Sequence, residues 1–277
     1  MNRTVKKILK KGTCAVGLFI LLISIILAIF SPYIAPYDPN EQYIMKSLNQ
    51  PSLNHLMGTD LYGRDIFSRV VFGARISLLV GISSISFGLL IGGFIGVISG
   101  YFGSVLDLFL QRIIDILMAF PSLVLALLIS AMFRGGLISV ILAIGIYNIS
   151  RFARLVRGQV ITVKQEAYVE SAHAIGVPTA RIWARHIIPN ILMPILILAT
   201  LRLAAAILIE ASLSYLGFGI PPPTPTWGTI VADGKSFLIM APWISLFPGV
   251  MIMSVVIGFN LLGDGLRDIF DPRLRGT

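Results

Sequence analysis

Residues 78–100 read LLVGISSISFGLLIGGFIGVISG, a stretch without one charged side chain. A helix of this length crosses the roughly 30 Å hydrocarbon core of a bilayer, and a barrel strand of such length would alternate apolar with polar residues. Within the run, Gly88, Gly92, Gly96 and Gly100 recur at steps of four, with Ser84 one step earlier. Residues four apart share a helix face, and a stripe of small residues lets a second helix approach closely. Helix packing is the reading of these four glycines, with rigid-body shifts of the packed helices as the functional extension.

The rest of the chain agrees with this stretch. Mean hydropathy is +0.88, hydrophobic residues make up 56% and charged residues 13% of 277 positions, too apolar for a soluble domain of this size. The fold class expected is an all-α polytopic membrane protein. Six transmembrane helices are placed by hydropathy at 14–34, 78–100, 112–133, 137–157, 191–216 and 244–262. Four segments follow: 1–35 as N-terminus and first anchor, 36–77 as an outer or interfacial segment, 78–265 as the transmembrane core with a loop at 158–190, and 266–277 as a C-terminal tail.

An even number of spans puts both termini on one side. With cytosolic termini, the outer segments hold only Lys46, Arg64, Arg69, Arg75, Arg134 and Lys235. The remaining Lys and Arg, Arg202 excepted, fall at inner flanks that include Arg112, Arg151, Arg154 and Arg157. The positive-inside rule selects that topology in the cytoplasmic membrane. The net charge of +9 is then a matter of basic flanks facing anionic lipid, and no nucleic-acid partner is expected. The Lys-rich start resembles a signal peptide, but cleavage after Ala35 would require a small residue where Tyr33 stands and would leave Pro36 next, so an uncleaved anchor is expected. The single Cys14 excludes an internal disulfide.

The loop at 158–190 carries the specific signal. Helical spacing sorts Glu166, Glu170 and His173 onto one face and Tyr168, Ala172 and Ile175 onto the other. Gly176 suits the left-handed residue that closes a helix, Pro178 suits the start of another, and Pro189 is expected to stop that second helix before the next span. Ser171, Ala172 and Gly176 are small enough for a partner's backbone to come close, and Arg181 and Arg185, one turn apart, add charge. The expected object is a bent two-helix knob that docks in a partner's socket.

At these positions the chain resembles the permease subunits of binding-protein-dependent ABC importers. Their cytosolic loop reads Glu-Ala-Ala, three residues, Gly, nine residues, Ile-x-Leu-Pro. Glu170, Ala172, Gly176 and Pro189 fall at that spacing, with Ser171, His186 and Ile188 as departures. Gly58, Thr59, Asp60, Gly63, Arg64, Asp65, Ser68 and Arg69, with Gly263, Asp264, Gly265, Leu266, Arg267 and Asp268, are similar to the second, C-type permease of dipeptide, oligopeptide and nickel importers. The resemblance implies a homologous second permease, two cytosolic ATP-binding subunits that hold ATP and Mg, and an extracytoplasmic substrate-binding protein. Glu170, Ser171, Ala172, Gly176, Pro178, Arg181, Arg185 and Pro189 would form the ATPase-coupling element. The implied substrates are di- or oligopeptides, with nickel, metal chelates and glutathione as alternatives. No cofactor or metal is expected in this chain.

Two other classes fail on the residues present. Gly234, Lys235 and Ser236 end like a phosphate-binding loop, but Thr229 stands where its first glycine belongs. An intramembrane enzyme lacks its groups: His55, His173 and His186 all lie outside the spans, and Asp107, Asp115 and Asp264 sit at span boundaries as solvated ends or salt bridges. Arg202 and Glu210, inside span five, would each cost about 3 kcal/mol facing lipid at the bilayer centre, so they line the translocation path or pair across helices, with the second permease as partner. Four acids balance four bases in 36–77, which predicts a solvated or interfacial segment, and Pro221, Pro222, Pro223, Pro225 and Trp227 form a stiff outer loop that either meets the binding protein or serves as a simple connector.

Overall fold

The computed structural model describes residues 12–270, in which regular structure is helical apart from one isolated bridge between Thr59 and Asp65. The helices are α1 (Gly12–Ile29), α2 (Ser31–Ile34), α3 (Ile66–Phe102), α4 (Ser104–Ala119), α5 (Ser122–Met132), α6 (Leu137–Lys164), α7 (Ala167–Ala174), α8 (Thr179–Ile182), α9 (Ile188–Tyr215), α10 (Trp227–Gly234) and α11 (Trp243–Phe270). Of the inner-flank basic residues, Arg3, Lys6, Lys7, Lys10, Lys11, Arg273 and Arg275 lie outside the described residues, as does most of the C-terminal tail expected at 266–277.

Five helical stretches are long and apolar enough to cross a bilayer: α1, α3, α6, the run from α8 through α9, and α11. A sixth crossing exists only as the broken pair α4 and α5, bent by 94°. The span expected at 112–133 runs through that break. Pro121 offers no N–H and pushes the preceding Phe120 into an extended conformation (φ −89°, ψ 137°), which hydropathy does not register because both flanks remain apolar. Pro194, by contrast, stays within a continuous α9. Two ion pairs fasten α4 to α6: Asp107 takes Arg157 at 2.7 and 2.6 Å, and Asp115 takes Arg154 at 2.7 Å.

The glycine stripe of α3 meets α6 inside this chain. A Cβ on Gly88 would stand 2.9 Å from the Gly145 carbonyl, on Gly96 2.7 Å from the Ala153 carbonyl, and on Gly100 2.8 Å from the Arg157 carbonyl. On Gly92 it would strike the Ile149 carbonyl. These are backbone atoms of a neighbouring helix, so the approach is closed to any larger residue. Helix α1 uses the same device on α11, where Gly17 faces the Gly258 carbonyl.

The segment 36–77 departs from expectation. Helix α3 begins at Ile66, so the boundary at 77 falls inside a helix about 55 Å long. Asp65 caps it, accepting from the Ser68 amide and hydroxyl at 2.7 Å each, and holds His55 Nδ1 at 2.9 Å. Asp60 accepts Arg64 Nε at 2.6 Å, and Arg64 and Arg69 both reach Asp233 on α10, at 3.2 and 3.5 Å. Side chains of His55, Asp60, Arg64, Asp65 and Arg69 are each no more than 5% exposed. Four of the eight balanced charges, Asp60, Asp65, Arg64 and Arg69, are paired and buried as a structural cap, while Asp38, Glu41, Lys46 and Arg75 are exposed as a solvated segment requires. Burial pushes the Asp233 carboxyl up, and the Arg69 and Arg64 guanidinia oppose that push.

The proline-rich stretch is corrected in part. Pro221, Pro222 and Pro223 are exposed, but Pro225 and Trp227 are buried. Trp227 donates its indole N–H to the Val70 carbonyl at 3.0 Å and its amide to Ser77 Oγ at 3.2 Å, which makes it an anchor of α10 on α3 and removes it as a contact for another protein.

Candidate functional site

At the end of the bundle where α3 and α6 finish, Lys164 Nζ donates to the Tyr101 carbonyl at 2.6 Å. Cys14 near the start of α1 packs on Gly265 of α11, and Arg267 and Phe270 share a crevice with Gln159, Met193 and Pro194. The loop at 158–190 and both ends of the described chain therefore lie on one side of the bundle.

The loop folds as two short helices. Helix α7 closes at Gly176 (φ +75°), whose amide donates to the His173 carbonyl at 3.0 Å while Val177 donates to the Ala172 carbonyl at 3.1 Å. This paired closure satisfies carbonyls that a helix end leaves open, and only a residue tolerant of the left-handed region fits its turning position. Pro178 then caps α8, its carbonyl accepting from Arg181 and Ile182 at 2.9 and 3.1 Å.

Pro189 does not stop the second helix. Helix α8 passes through one π turn, Trp183–Ile187, into α9, and the Ile188 amide bonds back to the Trp183 carbonyl. A proline at 189 removes one bond and crowds the carbonyl four residues back, and the wider turn relieves both. The knob is thereby continuous with a membrane-crossing helix.

The faces of α7 also differ from the expected sorting. Val169 and Ala172 are the buried positions, packed with Val177, Ile182 and Ile187 against Val97, Val156 and Val160. Trp183 meets Tyr101 and Phe102 edge-on at 5.5 and 5.8 Å between centroids. Tyr168 is partly exposed, its hydroxyl accepting from Asn190 at 3.0 Å, and Ile175 is 81% exposed. Eight residues give barely two turns, so one apolar position shifts the apparent stripe, and only packing decides which side is covered.

Of the residues singled out in sequence, the structure brings Glu170, Ser171, Gly176, Pro178, Arg181, Arg185 and Pro189 to the exposed surface of this knob, while Ala172 faces inward. Spacing set Ile175 on the same face as the buried Ala172 and so missed its exposure, and it missed Trp183 and Lys164 altogether. The signal available for Ile175 was its place immediately before the closing glycine, where a helix tip projects furthest. Gly100, Tyr101, Lys164, Val169, Glu170 and His173 line a cleft of about 490 Å³ between the knob and the bundle.

Arg202 and Glu210 separate. Glu210 is fully buried and accepts from Ser214 at 3.0 Å and from Ser77 of α3 at 3.4 Å. Its interhelical partner is a hydroxyl within this chain, and the expected ion pair with a second permease does not apply, since hydroxyls already satisfy the carboxyl. Arg202 is half-buried with the Tyr147 hydroxyl and Arg151 as electrostatic neighbours.

A bundle of bilayer-length apolar helices with a helical knob at one end has the architecture of a transport permease, and its similarity to known families places it in that class. The profile of the binding-protein-dependent transport system inner membrane component matches residues 88–276, and that of the N-terminal transmembrane domain of oligopeptide transport permease C matches residues 3–51. The chain belongs to this family of ABC importer permeases. It is 44% identical over 270 residues to the dipeptide transport system permease protein DppC of Alkalihalophilus pseudofirmus, covering 98% of this chain and 89% of the relative. It is 43% identical over 261 residues to the glutathione transport system permease protein GsiD of Escherichia coli, covering 94% and 86%. The fold is similar to the permease of the methionine ABC transporter MetNI in an inward-facing form, with TM-score 0.61 and 19% identity over 74% of this chain and 97% of that one. An amino acid ABC transporter solved with histidines gives TM-score 0.55 and 19% identity over 75% and 95%.

Proposed function

We propose that this chain is one of two permeases in an ATP-driven importer of di- or oligopeptides, with cytosolic termini and two ATPase subunits docked on the knob at 166–187. The observation that carries the reading is the continuity of that knob with α9 through the π turn, together with its anchoring on α3 and α6 by Val169, Ala172 and Trp183. A push on Ile175, Glu170, Arg181 or Arg185 is delivered to three long helices at once. The names of the relatives support peptides as cargo.

In this reading the chain performs no catalysis. ATP and Mg bind the partner subunits, whose closure pulls the knob and tilts α3, α6 and α9 from inward-facing to outward-facing. A binding protein then delivers peptide at the opposite end, where the buried ionic cap of residues 55–69 holds the outer mouth. Two states biased by nucleotide at one end and by loaded binding protein at the other suffice for alternating access.

The test is uptake by proteoliposomes holding the chain with its co-encoded permease, ATPases and binding protein. Labelled dipeptide is expected to accumulate only with ATP inside the catalytic compartment and with binding protein on the opposite side. ATP-dependent uptake of nickel without uptake of any peptide would overturn the assignment of cargo.

A further inference from the structure

The coupling mechanism leaves one cluster of charges unused. Arg151 Nη2 donates to the Tyr147 hydroxyl at 3.1 Å, and the guanidinium lies 5.6 Å from the centre of the same ring. Arg202 on α9 has that hydroxyl and Arg151 as its electrostatic neighbours. Hydropathy ended the fourth span at 157 and so set Arg151 at the inner boundary. Ile149, Phe152 and Ala153, which flank Arg151 on α6, pack on Gly92 of α3, near the middle of the charge-free run 78–100, so Arg151 stands level with the centre of that run; Arg202 is at the midpoint of the 28-residue α9.

Among the described residues, the ion pairs within 4 Å involve other groups, and neither guanidinium has a carboxylate. Arg151 Nε is buried without an acceptor. Two cations around one hydroxyl at membrane depth repel each other and leave a donor unsatisfied, an arrangement that an anion relieves. One turn nearer the coupling loop, a crevice of about 450 Å³ opens between α6, α9 and α11, lined by Leu155, Gln159, Leu198, Leu201 and Arg267.

The geometry points to Tyr147, Arg151 and Arg202 as a transit site for the carboxylate of the transported peptide, an inference that rests on the peptide-importer reading. The terminal carboxylate is the group that unmodified peptides share, so a site built for it is indifferent to side-chain identity. Guanidinium donors pair with carboxylates in charge-assisted bonds. The Tyr147 oxygen accepts from Arg151, which leaves its own O–H free to donate to the same carboxylate. The mostly apolar crevice accommodates variable side chains, and Arg267 on its wall offers a next cationic contact on the way out.

The experiment measures dipeptides imported per ATP hydrolysed by the full reconstituted complex carrying Arg151→Gln, Arg202→Gln or Tyr147→Phe. Loss of one charge-assisted contact is expected to lower the ratio about tenfold in each arginine variant, and loss of a neutral hydroxyl about threefold in Tyr147→Phe, which removes a single oxygen and tests the site without disturbing packing. Arg202→Lys is expected to restore part of the loss. An unchanged ratio in all variants, with wild-type transport normal, overturns the transit site alone. Failure of the arginine variants to assemble with the second permease overturns it in favour of a carboxylate supplied by that subunit. A wild-type complex that moves no peptide sinks the peptide reading and the site together.

Discussion

A complex carrying Gly176→Trp is expected to assemble in the membrane and to lose the response of its ATPases to loaded binding protein, with stimulation falling at least about tenfold, the equivalent of about 1.4 kcal/mol of docking energy. Gly176 holds φ +75° and has open space beyond it, with nothing within 4 Å of an added Cβ. An L-residue there costs about 1–2 kcal/mol of local strain, too little to unfold the bundle, so the principal effect of an indole is to obstruct whatever sits against the knob. Gly176→Asn supplies the control, since asparagine tolerates the left-handed region and is small; it is expected to keep most of the stimulation. Equal stimulation in the tryptophan variant and wild type would show that nothing docks at this turn.

The second large effect lies in the bundle. Gly92→Leu drives a side chain into the Ile149 carbonyl, with the Phe152 Cβ at 3.0 Å and the Ala153 amide nitrogen at 3.1 Å. Neither helix backbone yields cheaply, and overpacking of a tight interface costs about 1–3 kcal/mol or more against a total stability of about 5–15 kcal/mol. Thermal unfolding of the purified complex in detergent is expected to shift down by several degrees or the variant to fail to accumulate. Gly93→Leu is the matched control: its Cβ meets only Leu89 of its own helix at 3.9 Å, so an unchanged Tm is expected. Equal loss in both variants would mean that general helix effects, and not the α3–α6 approach, set the sensitivity.

Local patterns in the chain expressed the glycine stripe, the number of apolar runs and the Glu170-to-Pro189 spacing, because each depends on residues close in sequence. The residues that misled depend on partners far away. Asp60, Arg64, Asp65 and Arg69 look solvated by count, yet they are buried, and Arg64 and Arg69 reach Asp233 more than 160 positions on. Glu210 looks like half of an ion pair, yet Ser77 across the bundle satisfies it. Hydropathy averages over windows, so it does not register the 94° break, for which Pro121 itself is the sequence signal of a bend, nor the packing on Gly92 that sets Arg151 level with the centre of α3's charge-free run. Pro189 reads as a stop only while the π turn, a device with no sequence signature of its own, is left out.

Everything about force transmission depends on the tip of α7 touching an ATPase. The direct measurement replaces Ile175, 81% exposed at that tip, with a cysteine in a Cys14→Ser background and attaches a short photo-crosslinker in the assembled complex. A crosslink to an ATPase subunit, changing in yield between nucleotide-free and ATP-bound complexes, is the expected result. Crosslinks confined to lipid or to this chain, in both states, would contradict the coupling role of the knob.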